Sequence, residues 1–258
     1  MATSRTMHRL ASGCLGLALA SGTGMAGAEE ALTAYNTYQS VPFVTEKGGL
    51  AQDLVAYLNQ KLKGKYQFQL NSLPRDRLNQ TVINDPNFKG IVLLLNPLFV
   101  DDAERKKFLW TQPVMADSNA VISMASKKIE YTDPDSLKGT RFAGISGNRY
   151  AGLEDRFGKD IQRDNVGEEM TNIRKVAAGR ADVTIMAFST YRYLVKQIGE
   201  SAKLDTTLYV SSKPHAKFDR FIFVSKADPV LAKELDGVIG GMKADPAWKA
   251  VLARYAIE

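Results

Sequence analysis

Short apolar segments typical of β-strands alternate with amphipathic segments of helical spacing along almost the whole sequence. Residues 91–95 (IVLLL) are apolar at every position, as in a strand that is covered on both faces of a parallel sheet. Residues 50–62 instead place leucines on one face of a helix. Because strands that alternate with helices build parallel sheets with helices packed against them, the sequence predicts an α/β fold.

The order of these segments can be written as a series of predicted elements. We expect strands at residues 32–38, 66–70, 90–95, 121–124, 141–145, 181–186 and 221–226. We expect helices at residues 50–62, 73–83, 168–178, 189–198, 229–242 and 246–257, and another that follows the turn at residues 146–148 and continues through residue 157. Asp228 and Asp245 each precede a proline and are predicted N-caps, and Ser189 is the predicted N-cap of its own helix.

Two crossovers divide the predicted mature chain into two lobes. A second unit begins after Ala120, and the strand after Arg220 returns to the first unit. The predicted first lobe is residues 29–120 together with residues 221–258, and the predicted second lobe is residues 121–220. A chain of about 230 residues is long enough for two such lobes, and the two crossovers would form a hinge between them.

The first residues predict an export signal that is not part of the fold. Arg5 and Arg9 precede an apolar stretch at residues 10–20, which is followed by residues 26–28 (AGA). This pattern is typical of a secretory signal peptide at residues 1–28. Its apolar stretch is about a dozen residues long, whereas a membrane-spanning helix needs about 20. The sequence therefore predicts a protein of the bacterial periplasm.

The composition of the mature chain excludes several classes of function. Cys14 is the single cysteine and lies in the leader, which excludes thiol catalysis and cysteine-ligated metal. Loss of Arg5 and Arg9 with the leader lowers the formal net charge from +6 to +4, and no basic block is present that would track nucleic acid. His215, the one mature histidine, is expected in solvent and cannot by itself build a metal site or a catalytic triad.

The carboxylates offer no catalytic arrangement either. None stands in a spacing typical of acid–base chemistry, and those at Asp101, Asp102 and Glu104 are expected on solvated faces. The sequence also lacks a nucleophile elbow and a phosphate-binding loop. We therefore predict that the protein is not an enzyme and carries no cofactor.

Polar side chains at the ends of strands are candidate ligand contacts, because open α/β sheets bind ligands beside the carboxyl ends of their strands. Tyr38 ends the first predicted strand, Asn96 follows the strand at residues 91–95, and Ser189 follows the strand at residues 181–186. Tyr38 has a second interpretation, in which its ring packs against the loop that follows it.

Arginines supply two further candidates. Arg75 and Arg77 begin a predicted helix, and residues two apart do not share a helical face, so at most one of them is expected to face a ligand. Gly147-Asn148-Arg149-Tyr150 follows a predicted strand and opens a predicted helix, where free backbone N–H groups and Arg149 could hold an anion. The alternative for each arginine is a solvated surface side chain.

Five segments, in order along the chain, resemble the signatures of one known family. They are residues 42–43 (PF), 49–54 (GLAQDL), 104–108 (ERKKF) with 110–113 (WTQP), 137–144 (LKGTRFAG) and 178–182 (AGRAD). Over about residues 32–257 the chain resembles the family 3 extracellular solute-binding proteins, the type that serves polar amino-acid ABC transporters.

The resemblance implies a two-lobed periplasmic-binding-protein fold with a two-strand hinge, known as type II. It further implies a monomer that closes on a small-molecule ligand, leaves it chemically unaltered and presents it to an inner-membrane ABC permease. Two alternatives remain open. One is an enzyme on the same scaffold, similar to cyclohexadienyl dehydratases, and the other is a ligand-sensing partner of a membrane receptor.

The sequence departs from the family at positions that contact amino-acid ligands. The arginine that clamps the ligand carboxylate aligns with Glu104, and Arg105 lies one residue out of register. The acidic residue that holds the amino group aligns with Ala187, and the acid of an earlier strand aligns with Leu93. The expected ligand is therefore an amino acid, an amino-acid derivative, a peptide fragment or an organic anion.

Overall fold

The computed structural model describes residues 1–2 and 29–257 of the chain. The predicted leader, with Cys14, lies outside the described residues apart from Met1 and Ala2, and its role in export stays a prediction. None of the helices within the described part is both long and apolar enough to cross a membrane.

Strands and helices alternate along the described chain. The strands are β1 (Glu30–Asn36), β2 (Tyr66–Ser72), β3 (Ile91–Leu95), β4 (Phe108–Trp110), β5 (Met115–Met124), β6 (Arg141–Ile145), β7 (Gln162–Val166), β8 (Val183–Ala187), β9 (Leu208–Val210) and β10 (Ala216–Ser225). The α-helices are α1 (Leu50–Lys61), α2 (Arg75–Leu78), α3 (Glu169–Ala177), α4 (Phe188–Ala202), α5 (Leu204–Thr207), α6 (Pro229–Met242) and α7 (Pro246–Arg254). A π-helical turn at Asn79–Ile83 continues α2, and 3-10 helices lie at Pro97–Val100, Pro134–Leu137 and Glu154–Arg156.

The strands form one continuous order, β2-β1-β3-β10-β5-β8-β6-β7, with β4 beside β10 and β9 beside β5. β1 runs parallel to β2 and β3, and β6 runs parallel to β7 and β8. β5 and β10 run antiparallel to each other and to their outer neighbours. Parallel strands with intervening helices at both ends of this order confirm the predicted α/β class. We call the end with β1 to β4 the first half and the end with β6 to β9 the second half.

β5 and β10 carry the chain between the halves. β10 pairs with β5 through residues 216–220 and with β3 and β4 through residues 221–225. β5 pairs with β10 through residues 115–119 and with β8 through residues 119–123. The two predicted crossover points therefore lie within these long strands, while the predicted lobe boundaries stay a prediction.

Each half has its own buried apolar clusters. In the first half, α1 turns Leu50, Leu54 and Leu58 inward, as the helical spacing of the leucines predicts. Trp248 of α7 packs into the same core and is 1% exposed. In the second half, separate clusters contain Ile122 and Phe142. Separate cores are the arrangement expected of two packed units that are joined by only two strands.

Two of the three predicted N-caps are confirmed, and one is wrong. Asp228 accepts a hydrogen bond from the backbone N–H of Leu231 at 3.0 Å, and Asp245 accepts one from Ala247 at 2.8 Å, as predicted for N-caps. The prediction for Ser189 is wrong, because α4 already begins at Phe188 and the Ser189 side chain bonds elsewhere.

The predicted helix from the turn at residues 146–148 through residue 157 is wrong as well. Gly147 and Gly152 have φ values of 78° and 80°, a left-handed conformation that interrupts a right-handed helix. Only the 3-10 turn Glu154–Arg156 forms in this stretch. The helix N-terminus that was expected to contribute to an anion site at residues 147–150 is therefore absent from this described segment.

Three strands were not predicted. β4 and β9 are three residues long, too short to show a period. β7 (QRDNV) is mostly exposed and stands at the end of the strand order, so it carries little apolar signal.

Candidate functional site

Loops at the carboxyl ends of strands from both halves meet beside β5 and β10. The Thr190 hydroxyl, in the first turn of α4 after β8, donates a hydrogen bond to the Val41 carbonyl, in the loop after β1, at 2.7 Å. Carboxyl ends of strands are where open α/β sheets bind ligands. We therefore take the loops that follow β1, β2, β3, β6 and β8 as the candidate site and call them the strand-end loops.

A buried ion pair joins the two connecting strands next to this contact. Arg220 Nη2 lies 2.7 Å from Asp117 Oδ2, and Arg220 Nε donates to the same oxygen at 2.8 Å. Both side chains are only 2% exposed. A buried charge is strongly unfavourable unless it is paired, so each residue depends on the other. The pair ties β5 to β10 where the chain passes between the halves.

Aromatic rings enclose the Arg220 guanidinium. Its central carbon lies 4.5 Å from the ring centroids of both Tyr38 and Phe43 and 5.0 Å from that of Phe218. Ring faces attract cations. Burial opposes the charged form of Arg220, but Tyr38 and Asp117 outweigh it and raise the pKa of the guanidinium. Tyr38, a predicted ligand contact, thus contacts Arg220 here, and its contact with a ligand stays a prediction.

A glycine keeps Phe43 in this position. Gly49 has a φ of 119°, and a Cβ at this residue would lie 2.5 Å from the Phe43 carbonyl oxygen. The close approach lets the backbone N–H of Leu50 donate to the Pro42 carbonyl at 2.8 Å and that of Ala51 donate to the Phe43 carbonyl at 3.1 Å. A side chain at Gly49 would therefore displace the loop that carries the ring.

Ser189 bonds to the acid of the ion pair. Its hydroxyl donates to Asp117 Oδ2 at 2.8 Å, and its backbone N–H donates to Asp117 Oδ1 at 3.2 Å. The backbone N–H of Ser118 donates to Oδ1 at 2.8 Å. Together with Arg220, these donors use the lone pairs of both carboxylate oxygens. Ser189 therefore fastens the second half to β5, and the prediction that it binds a ligand remains untested.

Asn96 connects the first half to β10. Its side-chain NH₂ donates to the Asp219 carbonyl at 2.9 Å, and its side-chain oxygen accepts from the backbone N–H of Leu98 at 2.9 Å. The side chain is therefore occupied by bonds within the protein, and its predicted contact with a ligand stays a prediction.

Arg75 and Arg77 differ in their surroundings. Arg75 is half-buried; its Nε donates to Asn79 Oδ1 at 2.9 Å, and its Nη2 donates to the Phe99 carbonyl. Burial lowers the pKa of Arg75, and Tyr38, Asp101 and Asp76 offset part of this effect. Arg77 is exposed. The structure thus distinguishes the two arginines that the sequence left as alternatives.

In the loop after β6, the residues of the predicted anion site differ in their exposure to solvent. Asn148 and Arg149 are exposed, whereas Tyr150 is 5% exposed. The Tyr150 hydroxyl accepts a hydrogen bond from the backbone N–H of Ile145 at 2.9 Å, and its ring packs edge-on against Phe142. Burial raises the pKa of Tyr150. Tyr150 is therefore a core residue of the second half, and Asn148 and Arg149 are the accessible members of the predicted site.

Two residues expected in solvent are instead held by the protein. Asp102 is 3% exposed and accepts hydrogen bonds from three backbone N–H groups and from Trp110 Nε1. These donors lower its pKa against the effect of burial. His215 is half-buried with its Nε2 2.8 Å from the Ala151 carbonyl oxygen, and burial lowers its pKa. Their predicted exposure was wrong because the chain just after Asp102 folds back onto it, and because His215 contacts Ala151, 64 residues away.

The two residues of the Glu-Arg segment are exposed. Glu104 pairs with Lys106 at 2.5 Å, and the Arg105 guanidinium carbon lies 4.6 Å from the Phe221 ring centroid. Arg105 has a φ of 54°, a left-handed conformation that is uncommon for a side-chain-bearing residue.

Sequence reasoning missed the central members of this region. Asp117, Arg220, Phe43 and Phe218 were not among the predicted site residues. The available signal was a charge placed inside an otherwise apolar crossing strand, since Arg220 directly precedes the buried residues 221–224. A buried charge in such a position calls for a partner, although the partner is distant in sequence.

Comparisons with known proteins find likeness in structure. No protein-family model matches the sequence, and no curated protein matches it. A binding component of an ABC transporter from Wolinella succinogenes, solved with lysine, is similar with a TM-score of 0.66 and 15% identity, covering 88% of this chain and 96% of that one.

Two further solved structures broaden this comparison. The GluR0 ligand-binding core from Nostoc punctiforme with L-glutamate matches with a TM-score of 0.63 and 14% identity, covering 87% and 98% of the two chains. An ancestral amino-acid-binding protein, described as a precursor of cyclohexadienyl dehydratase, matches with a TM-score of 0.59 and 16% identity, covering 87% and 95%. At these identities the likeness shows the fold alone. The chain has the two-lobed type II periplasmic-binding-protein fold, as predicted.

Proposed function

We propose that this protein is an exported solute-binding protein whose two α/β halves close on a small polar solute held between their strand-end loops. The observation that carries the proposal is the pair of long strands β5 and β10. β10 pairs with β3 and β4 of the first half, β5 pairs with β8 and β9 of the second half, and the two strands pair with each other. Two such strands permit rotation of one half against the other with little change in either core, the usual basis of hinge closure.

The lobes and their contacts follow from this hinge. Residues 29–120 and 221–258 form the first lobe, residues 121–220 form the second, and the solute lies between them. Arg75 contributes from the first lobe, and Asn148 and Arg149 contribute from the second. Arg75 is favoured over Arg77 because it is half-buried, and burial strengthens the interaction of a charge with a ligand.

The role in transport draws on the neighbours as well as the fold. A protein of this kind acts as a monomer in the periplasm and presents its closed form to an inner-membrane ABC permease. The likeness to an ABC-transporter binding component supports this role, and the likeness to a receptor-type ligand-binding core keeps a sensing partner as the second candidate. Both roles need the same closure.

A thermal-shift screen tests the proposal. Mature protein is heated with amino acids, their derivatives and small organic acids. A ligand that binds only the native state at 100 times its Kd stabilises it by about 2.7 kcal/mol, which corresponds to a rise in Tm of about 5–10 °C for a chain of this size. Solution scattering of the same complex should show a smaller radius of gyration.

Two results would contradict the proposal. One is a Tm and a radius of gyration that no compound in the screen changes. The other is chemical conversion of an added compound, which would favour the enzyme alternative; prephenate and arogenate are the substrates to test for dehydration.

A further inference from the structure

The Arg75 guanidinium makes no salt bridge with any described residue, although Asp101 and Asp76 are close enough to raise its pKa. No carboxylate among residues 29–257 lies within 4.0 Å of it, whereas the buried Arg220 has Asp117. Its hydrogen bonds go to a side-chain amide oxygen of Asn79 and to the Phe99 carbonyl, both uncharged acceptors. A half-buried cation whose hydrogen bonds go to neutral acceptors remains available to pair with an anion.

Apolar surface lies directly beside this charge. Leu98 is 67% exposed and Phe99 is 39% exposed, and both lie in the 3-10 helix Pro97–Val100 that comes after the buried strand β3. The Phe99 ring packs edge-on against Phe218 of β10, with 5.3 Å between the ring centroids. Apolar surface next to a positive charge suits a ligand that has both an apolar body and an anionic group.

The buried carboxylate near these residues has no capacity for an ammonium group. Asp117 already accepts hydrogen bonds from Ser118, from the backbone and hydroxyl of Ser189, and from two nitrogens of Arg220. A carboxylate offers about four lone-pair sites, so a further cation would have to displace one of these donors.

The other acids in or next to the strand-end loops are poorly suited to hold an ammonium group. Glu154, after β6, is half-buried, but it accepts a hydrogen bond from the Tyr150 backbone N–H and lies 3.8 Å from Arg163. Asp76, Asp101 and Glu168 are exposed, where water competes with a ligand for their charge. Glu169, at the start of α3, is half-buried, and burial raises its pKa, which opposes the charged form. It also follows β7, the last strand in the order, whereas Arg75 follows β2 at the opposite end.

From this asymmetry we infer that the solute is a small organic carboxylate with an apolar body and no ammonium group. Its carboxylate pairs with Arg75, and its apolar part covers Phe99 and Leu98. The inference rests on the proposed function and names the class of solute for that site. One half-buried guanidinium matches one negative charge, so a monocarboxylate is the simplest member of the class.

Three related compounds test the class by isothermal titration calorimetry with mature protein. 3-Phenylpropionate carries the carboxylate and ring, phenylalanine adds an ammonium group, and phenethylamine keeps only the ammonium group and ring. We expect 3-phenylpropionate to bind at least about tenfold more tightly than phenylalanine, a difference of about 1.4 kcal/mol, and phenethylamine not to bind.

Substitutions identify the site with a matched control. Arg75→Gln should weaken 3-phenylpropionate binding at least about tenfold, and Arg75→Lys should give a smaller loss because a lysine keeps the charge without the planar fork. Arg180→Gln removes the same charge from an exposed position before β8, at the opposite end of that strand from the strand-end loops, and should leave binding unchanged. Melting temperatures of all variants report whether they fold.

The outcomes separate this inference from the proposed function. Tighter binding of phenylalanine, or equal binding by folded Arg75→Gln, overturns the inference and leaves solute binding intact. The same holds if none of the three compounds binds while an amino acid or another solute with an ammonium group raises Tm in the wider screen. If no solute of any class binds, the proposed function and the inference both fail.

Discussion

The buried ion pair between Asp117 and Arg220 gives the sharpest test of how the halves are held together. Replacing Arg220 by Met leaves Asp117 charged in a site that is 2% exposed, with only neutral donors around it. Replacing Asp117 by Leu leaves Arg220 charged among three aromatic rings. Breaking a buried pair by removing one partner costs about 3–5 kcal/mol, so each single variant should lose that much stability.

The double variant measures the interaction between Asp117 and Arg220 separately from the contribution of each residue. Asp117→Leu combined with Arg220→Met removes both charges and leaves apolar side chains of comparable size, a replacement that is often close to neutral for buried pairs. We therefore expect the double variant to be more stable than the sum of the single losses by at least about 2 kcal/mol. The lost hydrogen bonds of Ser189 to Asp117 should keep it below the parent protein.

Equilibrium unfolding in urea measures these differences. Trp110 and Trp248 both lie in the first half and report its unfolding by fluorescence, while circular dichroism reports both halves. Lys65→Gln is the control, because it breaks an exposed pair with Glu234 whose side chains are 56% and 36% exposed, and it should cost less than about 1 kcal/mol. Single variants within about 1 kcal/mol of the parent, or a double variant at the sum of both losses, would refute the reasoning.

Three further predictions concern the ligand, pH and the core. Arg149→Ala should weaken binding of the solute about tenfold or more, since hydrogen bonds to charged groups contribute about 1.5–3 kcal/mol; calorimetry showing equal affinity would remove Arg149 from the site. Hydrogen bonds from Lys61, the Ala247 backbone and Tyr57 lower the pKa of Asp245 from 3.8 to about 2. Its stabilising contribution is therefore complete above about pH 4 and lost as pH falls toward 2, so the stability difference between the parent and Asp245→Ala in urea should shrink over that range and stay constant from pH 5 to 7. Trp248→Ala should cost about 3–5 kcal/mol in the same assay, because the ring is 1% exposed and packs against Tyr57; a loss below 1 kcal/mol would contradict its place in the core.

Much of the fold could be predicted from local patterns in the sequence. The all-apolar run of β3, the leucine stripe of α1 and the Asp-Pro starts of α6 and α7 each predicted an element that the structure contains. These signals are local, since a period or a cap depends on residues within one or two turns of each other. The same dependence explains the failure at residues 149–157, where Gly152 in a left-handed conformation interrupts a sequence that otherwise suits a helix.

Less of the candidate site than of the fold could be predicted from the sequence. Tyr38, Asn96 and Ser189, predicted from their places at strand ends, lie beside β5 and β10, where their side chains contact Arg220, Asp219 and Asp117. Their contact with a ligand stays a prediction. Arg75 and Arg77 looked alike in sequence, and Tyr150 looked like part of an exposed loop. Which of these side chains is buried depends on the tertiary contacts that each of them makes.

The sequence by itself determined the alternation of strands and helices, the α/β class and the return of the chain to its first unit. Only the tertiary structure decided that Arg220 and Asp117, 103 residues apart, form one buried pair, and that Arg75 forms no salt bridge with the described residues. The physical reason is that periodicity is carried by neighbouring residues, whereas burial and ion pairing are properties of contacts that exist only once β5 and β10 have brought the two halves together.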